Sequence, residues 1–385
     1  MKMLILIVLA AAIVFISCPT DGDDGTSIWD GTADTSWYDY SKSDFYIDTA
    51  PQLAGLAELV NNTTNGISFQ GQTVTQMVNI NLDGKPWKSI GAGTITTQFA
   101  GTYNGNGKTI RGLVIEASTS DQGLFGYISS FGTVKNVKLI NIYISVTSTG
   151  SSDRAGGVAG RNLGTVQGCS VTGSIKSSVV IGSDDFGGVV GYNEGMVQGC
   201  SFSGSIEATG SGDGCFFGGV VGYNMGKVEN CYSTGSVKGK DEIGGVVGRN
   251  DTGSELLYCY STCSVSGLNN VGGVAGENNS TVKNCVALNK SITGKTSKFG
   301  RVAGGNTGTL TNNYAAGTML VNGYAILIFS PEANTAGKEG ASITAALYNT
   351  SNWWVSLPAV PGPGFNLSSG GAWRWDNVNK LPVLK

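Results

Sequence analysis

Residues 218–237 read GGVVGYNMGKVENCYSTGSV, from Gly218 to Val237. The pattern returns at least six times, in copies opening at Gly156, Gly187, Gly218, Gly244, Gly272 and Gly300, with steps of 26 to 31 residues. Self-similarity at that period predicts a solenoid, because each repeat can bury its apolar face only against its neighbours. Valine stands two residues after each opening glycine (Val158, Val189, Val220, Val246, Val274 and Val302), with Val or Ala next. Apolar columns this rich in β-branched residues read as strands stacked in register. No copy runs ten residues without glycine or turn chemistry, which excludes a helix per repeat.

Asparagine follows two residues after the fifth-position glycine in every copy: Asn162, Asn193, Asn224, Asn250, Asn278 and Asn306. In parallel coils ~4.8 Å apart, such amides can hydrogen-bond along the column as a ladder. A further Gly/Asn column, Gly168, Gly199, Asn230 and Asn284, suits a corner with positive φ. That corner also answers a problem of parity. Val228 and Cys231 are three apart, so a straight strand would send them to opposite faces. One repeat is thus read as one coil of a parallel β-helix, with three short strands and two or three turns.

The copies at Gly187 and Gly218 closely match GG-x-x-G-x-N-x-G-x-V-x-x-C-x-x-x-G-x-V, and the repeats resemble the GLUG motif of bacterial surface proteins. The copy at Gly244 carries two extra residues; that at Gly300 has Arg301 and Asn313 for the second glycine and the cysteine. The resemblance implies an all-β, right-handed parallel β-helix over residues 74–318, with the regular repeats starting near residue 156. The hand also follows from strand twist. Segments preceding GLUG repeats elsewhere look like LAGLAELVN and the irregular coils between Val74 and Ile115. Leu53, Leu56, Leu59 and Val60 share one face of a helix expected over Ala50–Asn62, inside an N-terminal cap region at 29–73. The repeat fails after Gly317, and residues 319–385 are read as a C-terminal cap.

At the N-terminus, Met1-Lys2 and the apolar run Leu4–Ile16 look like a signal-peptide core. Cys18 resembles a lipoprotein cleavage and lipidation site, which implies a signal segment at 1–18, a tether at 19–28 and a lipid anchor in the membrane. The expected location is the bacterial cell envelope, as an outer-membrane lipoprotein exposed at the surface.

Function has to be sought on the outside of the coils. The chain holds no histidine, which removes Ser-His-Asp and Cys-His catalysis and the H-E-x-x-H zinc motif. GLUG repeats also accompany IgA-specific peptidases, of which this chain would have only the accessory module. A net charge of −3 without a basic cluster argues against a nucleic-acid partner. Cys169, Cys200, Cys231, Cys259 and Cys285 share one repeat position and are read as packed free thiols. Disulfides between neighbouring coils and metal binding are the alternatives; Cys215 and Cys263 have no obvious partner.

Two surface candidates remain. Acids in the loops before the repeats (Asp153, Asp184, Asp185, Asp213, Asp241 and Glu242) would meet on one edge as a Ca2+ site or as paired carboxylates on a glycan, or form a solvated rim. The position between repeat Gly and Asn carries Arg161, Tyr192, Tyr223, Arg249 and Glu277. Facing outward, two tyrosines flanked by arginines suit sugars or protein partners, or simply stabilise the sheet. The leading expectation is a non-enzymatic adhesin or binding scaffold for host surface or matrix ligands or glycans. A polysaccharide lyase or glycoside hydrolase using loop carboxylates is the rival, and a purely structural envelope protein the third reading.

Overall fold

The computed structural model describes residues 25–92, 96–147, 152–178, 183–209, 215–296, 298–325 and 337–385. The expected signal segment, Cys18, most of the tether and Asp213 lie outside the described residues. Each repeat forms one coil, and the coils stack in parallel through four sheets. A coil holds four strands rather than the three read from its sequence. One coil runs Ser183–Gly187, Val190–Asn193, Met196–Gln198 and Ser201–Ala208. The extra break falls at the glycine pair. A Cβ on Gly187 would strike the Val190 carbonyl oxygen, and one on Gly188 would strike the Phe202 ring. Only glycine lets the chain fold back that tightly, so one apparent strand becomes two.

The four sheets differ in what they present. The first, six strands from Ser152–Gly156 to Phe299–Gly300, carries the loop acids. The second, seven strands from Phe125–Ile128 to Ala303–Asn306, carries the asparagine and tyrosine columns. The third has ten strands of three or four residues, and the fourth contains the long strands such as Lys138–Val146. At ~4.8 Å per step, ten strands make a rod roughly 45 Å long. Inside it, Val189, Val190, Val197, Val220, Val221 and Val228 are wholly buried, as the column reading requires.

The asparagines form the ladder, buried from Asn162 to Asn278. Asn162 Nδ2 donates to Asn193 Oδ1 at 2.8 Å, and the pattern repeats through Asn224, Asn250, Asn278 and Asn306 at 2.7–2.9 Å. The corner column has φ near +60° at Gly168 and Gly199 and +53° at Asn230, and Tyr258 joins it at +52°. This turn lets Val228 and Cys231 both face inward. All seven cysteines among the described residues are buried free thiols. Five form a second ladder: Cys200 N–H points at Cys231 Sγ (3.4 Å) and Cys231 N–H at Cys259 Sγ (3.3 Å). Asn313 stands where the last copy lacks cysteine. Its Oδ1 accepts from Cys285 N at 2.9 Å and its Nδ2 donates to Val282 O at 2.9 Å, so an amide takes over the thiol's contacts.

Both ends differ from the boundaries read in sequence. Parallel pairing starts before residue 74: Ser27–Ile28 pairs with Ile80–Asn81, and Asp44–Ile47 with Thr73–Gln76. The helix Ala50–Asn61 sits in the loop between the latter two strands. It is capped by Thr49 Oγ1, which accepts from Gln52 N, while Gln52 Oε1 accepts from Thr49 N. Leu53, Leu56 and Val60 are buried and Leu59 is partly buried. At the other end, Ala341–Ile343 adds a strand beside Tyr314–Ala316. Past it, the chain does not stay on the end of the rod but folds back along its flank. There Trp353, Trp354, Phe365 and Trp373 form a second core with Tyr260, Val286 and Tyr314, which point outward from the fourth sheet. Tyr232 and Tyr260 stack at 5.1 Å beneath it, and the hairpin of Trp373–Asp376 and Leu381–Leu384 closes it. The physical reason is the aromatic column: its outward rings would otherwise be exposed. No helix among the described residues is long and apolar enough to cross a membrane.

Candidate functional site

In-register pairing brings the variable column of the second sheet together on the surface. Arg161 lies beside Tyr127 on one side and Tyr192 on the other, Tyr223 follows, then Arg249 and Glu277. All four residues singled out for binding, Arg161, Tyr192, Tyr223 and Arg249, fall on this line and are partly exposed. The rings of Tyr192 and Tyr223 meet edge to face at 5.2 Å. Arg161 lies over Tyr127 (4.8 Å) and Tyr192 (5.4 Å), and Arg249 over Tyr223 (5.8 Å). A cation thus lies at each end of the ring pair, each such contact contributing about 0.5–1 kcal/mol at exposed sites.

Carboxylates hold the arginines in place. Arg161 Nη2 meets Glu194 Oε1 at 2.5 Å; Arg249 Nη1 meets Glu242 Oε1 at 3.1 Å and its Nε lies 3.4 Å from Asp251. The Tyr223 hydroxyl donates to Asp251 Oδ2, and burial together with that hydrogen bond to a carboxylate pushes its pKa upward. The column is therefore a preorganised strip of rings and ion pairs, with its guanidiniums fixed rather than freely hydrated.

Three residues belong to the strip that sequence reading did not name. Tyr127, buried beneath Arg161, supports the strip from the next coil, and the signal was present: Gly126-Tyr127-Ile128 occupies the Gly-x-Asn positions in a degenerate copy. Arg154 sits over Tyr192 at 5.2 Å and Phe216 packs on Tyr223 at 5.1 Å, both from the first sheet. Nothing in the repeat pattern marks these two, because they reach across the glycine bend from a neighbouring sheet.

The acids do not gather on one edge. Asp153 and Asp184 are register partners, and both are buried. Asp184 Oδ2 accepts from Ser177 Oγ at 2.7 Å, and burial pushes the Asp184 carboxyl up to about 6. Asp185, one residue on, points the other way and lies 3.7 Å from Arg154 Nε. Burial raises its pKa, with Arg154 opposing. Glu242 has φ +51°, which turns it toward Arg249. Burial pushes it up to about 7, against the pull of Arg249 and with a further push from Glu277. Asp241 instead accepts from Asn269 Nδ2 at 2.5 Å. Among the described residues no three His, Cys, Asp or Glu side chains are grouped to hold a metal ion.

Comparison with known proteins agrees with the repeat reading. The family model of the GLUG motif matches residues 217–238, so the chain carries that motif. Halomucin of Haloquadratum walsbyi is 31% identical over 173 residues, which are 42% of this chain and 2% of halomucin. A protein of Evansella cellulosilytica, provisionally named a Gly-rich membrane protein, is 32% identical over 129 residues, 33% of this chain and 14% of its own. The chain thus spans a small fraction of the length of either curated relative. Among solved structures, a Bacteroides ovatus protein provisionally named an immunoglobulin A1 protease superposes with a TM-score of 0.53. It has 18% identity, over 90% of this chain and 93% of that one, and the likeness is one of fold.

Proposed function

We propose that this GLUG-bearing β-solenoid is a non-enzymatic binding scaffold of the cell surface, anchored at Cys18 and engaging host surface or matrix ligands or glycans through the strip from Arg161 to Arg249. The observation that carries this reading is the pair of half-exposed rings, Tyr192 and Tyr223, flanked by guanidiniums already paired to Glu194, Glu242 and Asp251. Such a strip offers flat aromatic area and fixed polar groups at little cost in side-chain entropy, which favours adhesion to an extended partner. Anchoring rests on the Leu4–Ile16 run and Cys18, and a place at the membrane also on the name of the Evansella cellulosilytica relative, a Gly-rich membrane protein.

The test is retention of the soluble chain on immobilised matrix proteins and polysaccharides. A Tyr192→Ala/Tyr223→Ala variant with unchanged circular dichroism is expected to lose at least tenfold in affinity. Equal retention of wild type and variant on every surface would refute the strip as the contact face. Glu242, held near 7 beside Arg249, favours a glycan-cleaving enzyme as the second reading. Chain cleavage of a polysaccharide that disappears in Glu242→Gln would establish it.

A further inference from the structure

Where the C-terminal segment folds back on the rod, it leaves a groove of about 580 Å³ at the corner between the third and fourth sheets. We propose that this groove binds a linear, uncharged glycan lying parallel to the rod axis. It is separate from the strip described above, which lies on the second sheet.

The floor of the groove is the positive-φ corner itself. Asn136, Gly168, Gly199, Asn230 and Tyr258 line it in five successive coils, a run of roughly 19 Å at ~4.8 Å per step. Glycine at the second and third of these positions lowers the floor: a Cβ on Gly199 would find nothing nearer than 3.8 Å, while one on Gly168 would press on the Asn136 side-chain oxygen at 2.9 Å. One wall is a register column of Gln167, Gln198 and Glu229. The other is the returning segment, kept low by Gly364, Gly370 and Gly371. That wall is fixed in place, since Trp373 Nε1 donates to Asn230 Oδ1 at 2.9 Å and Lys385 Nζ to Ser369 O at 2.9 Å.

The chemistry selects the ligand class. Side-chain amides donate and accept at once, which matches rows of sugar hydroxyls. Their spacing repeats with the coil, so an extended chain can make the same contact several times. Glu229, itself paired with Lys227 at 2.8 Å, and Lys385 place opposite charges on the two walls, so no net charge in the groove selects an ionic glycan. A peptide strand is disfavoured for another reason. The corner N–H groups of Asn136, Gly168, Gly199 and Asn230 already donate to the carbonyls of Gln167, Gln198, Glu229 and Leu257. The groove therefore offers no ladder of backbone donors for a strand to join.

The experiment is titration calorimetry of the soluble chain with neutral cello-, xylo-, malto- and manno-hexaoses. Gly199→Asn fills the floor and keeps the backbone, because Asn136, Asn230 and Asn284 occupy this corner at the same φ. A Gln167→Ala/Gln198→Ala pair removes the wall amides instead. At least one hexaose is expected to bind the wild type, and both variants to weaken it tenfold or more with unchanged melting temperature. Tyr192→Ala/Tyr223→Ala is expected to leave that binding intact. The proposal is overturned if no hexaose binds, or if binding survives both groove variants. Loss in the tyrosine variant alone would overturn it too, while supporting the strip as the adhesive face.

Discussion

Replacing Asn224 with alanine probes how much the asparagine ladder holds the rod together. Asn224 is wholly buried. Its Oδ1 accepts from Asn193 Nδ2 at 2.8 Å and from Gly226 N at 3.2 Å. Its Nδ2 donates to Asn250 Oδ1 at 2.9 Å and to Gly226 O at 3.2 Å. Alanine removes all of these. Asn193 keeps its bond to Gly195 O, and Asn250 keeps the hydroxyl of Ser254, so part of the loss is absorbed. The Gly226 N–H loses this acceptor in a half-buried bend next to exposed Met225. At about 1 kcal/mol net for each of the four bonds, less what Asn193 and Asn250 recover, the cost is about 2–4 kcal/mol. Asn306, at the end of the same ladder, is the internal control. It accepts from Asn278 and donates to Gly308 O, but it is exposed, so water replaces what alanine removes. The same chemical change there is expected to cost about 1 kcal/mol or less. Urea denaturation followed by far-UV circular dichroism separates the two, with hydrogen exchange locating the opening at the coil that contains Asn224. Equal losses at the two positions, or a loss at Asn224 below ~1.5 kcal/mol, would refute the buried-ladder account.

Three further outcomes are expected. Cys231→Ala removes the acceptor for Cys200 N–H and opens a small void, at about 2–3 kcal/mol. Cys231→Ser is expected to lose less, as Asn313 shows that oxygen can take the acceptor role, and thermal unfolding of the two variants checks this. Asp184 holds its proton up to about 6 in the fold against 3.8 for the free group. The folded state thus binds the extra proton between those values, and the Asp184 contribution to stability falls as pH rises from about 4 to 6. Asp184→Asn is then expected to gain on wild type by roughly 1–3 kcal/mol between pH 4 and pH 8, read from urea midpoints. A difference independent of pH would contradict the assignment. Trp373→Ala removes a fully buried ring that packs on Phe365 at 4.9 Å and Tyr260 at 5.8 Å. The expected cost is about 3–5 kcal/mol, confined to the flank. Limited proteolysis should cut after residue 344 while the coils stay resistant, and wholesale digestion of the coils would count against a separable flank.

The repeat period by itself determined the parallel solenoid, the inward valines, the asparagine and cysteine ladders and the alignment of Arg161, Tyr192, Tyr223 and Arg249. Stacking at a constant period makes each column meet itself in the next coil, so spacing in the chain translates directly into contact in space. Tyr127 was legible on the same ground, at Gly126-Tyr127-Ile128. Whatever breaks the period needed the tertiary structure. Asp184 and Asp185 stand on opposite faces of one strand, and Asp185 is covered by Arg154, which divides acids that read as one edge; the glycine bend carries Arg154 and Phe216 onto a strip built by another sheet. The bond from Trp373 to Asn230 joins residues 143 positions apart. No spacing rule reaches that far, and only the packing of outward-facing tyrosines against a tryptophan-rich segment decided where the chain's last residues lie and what groove they leave.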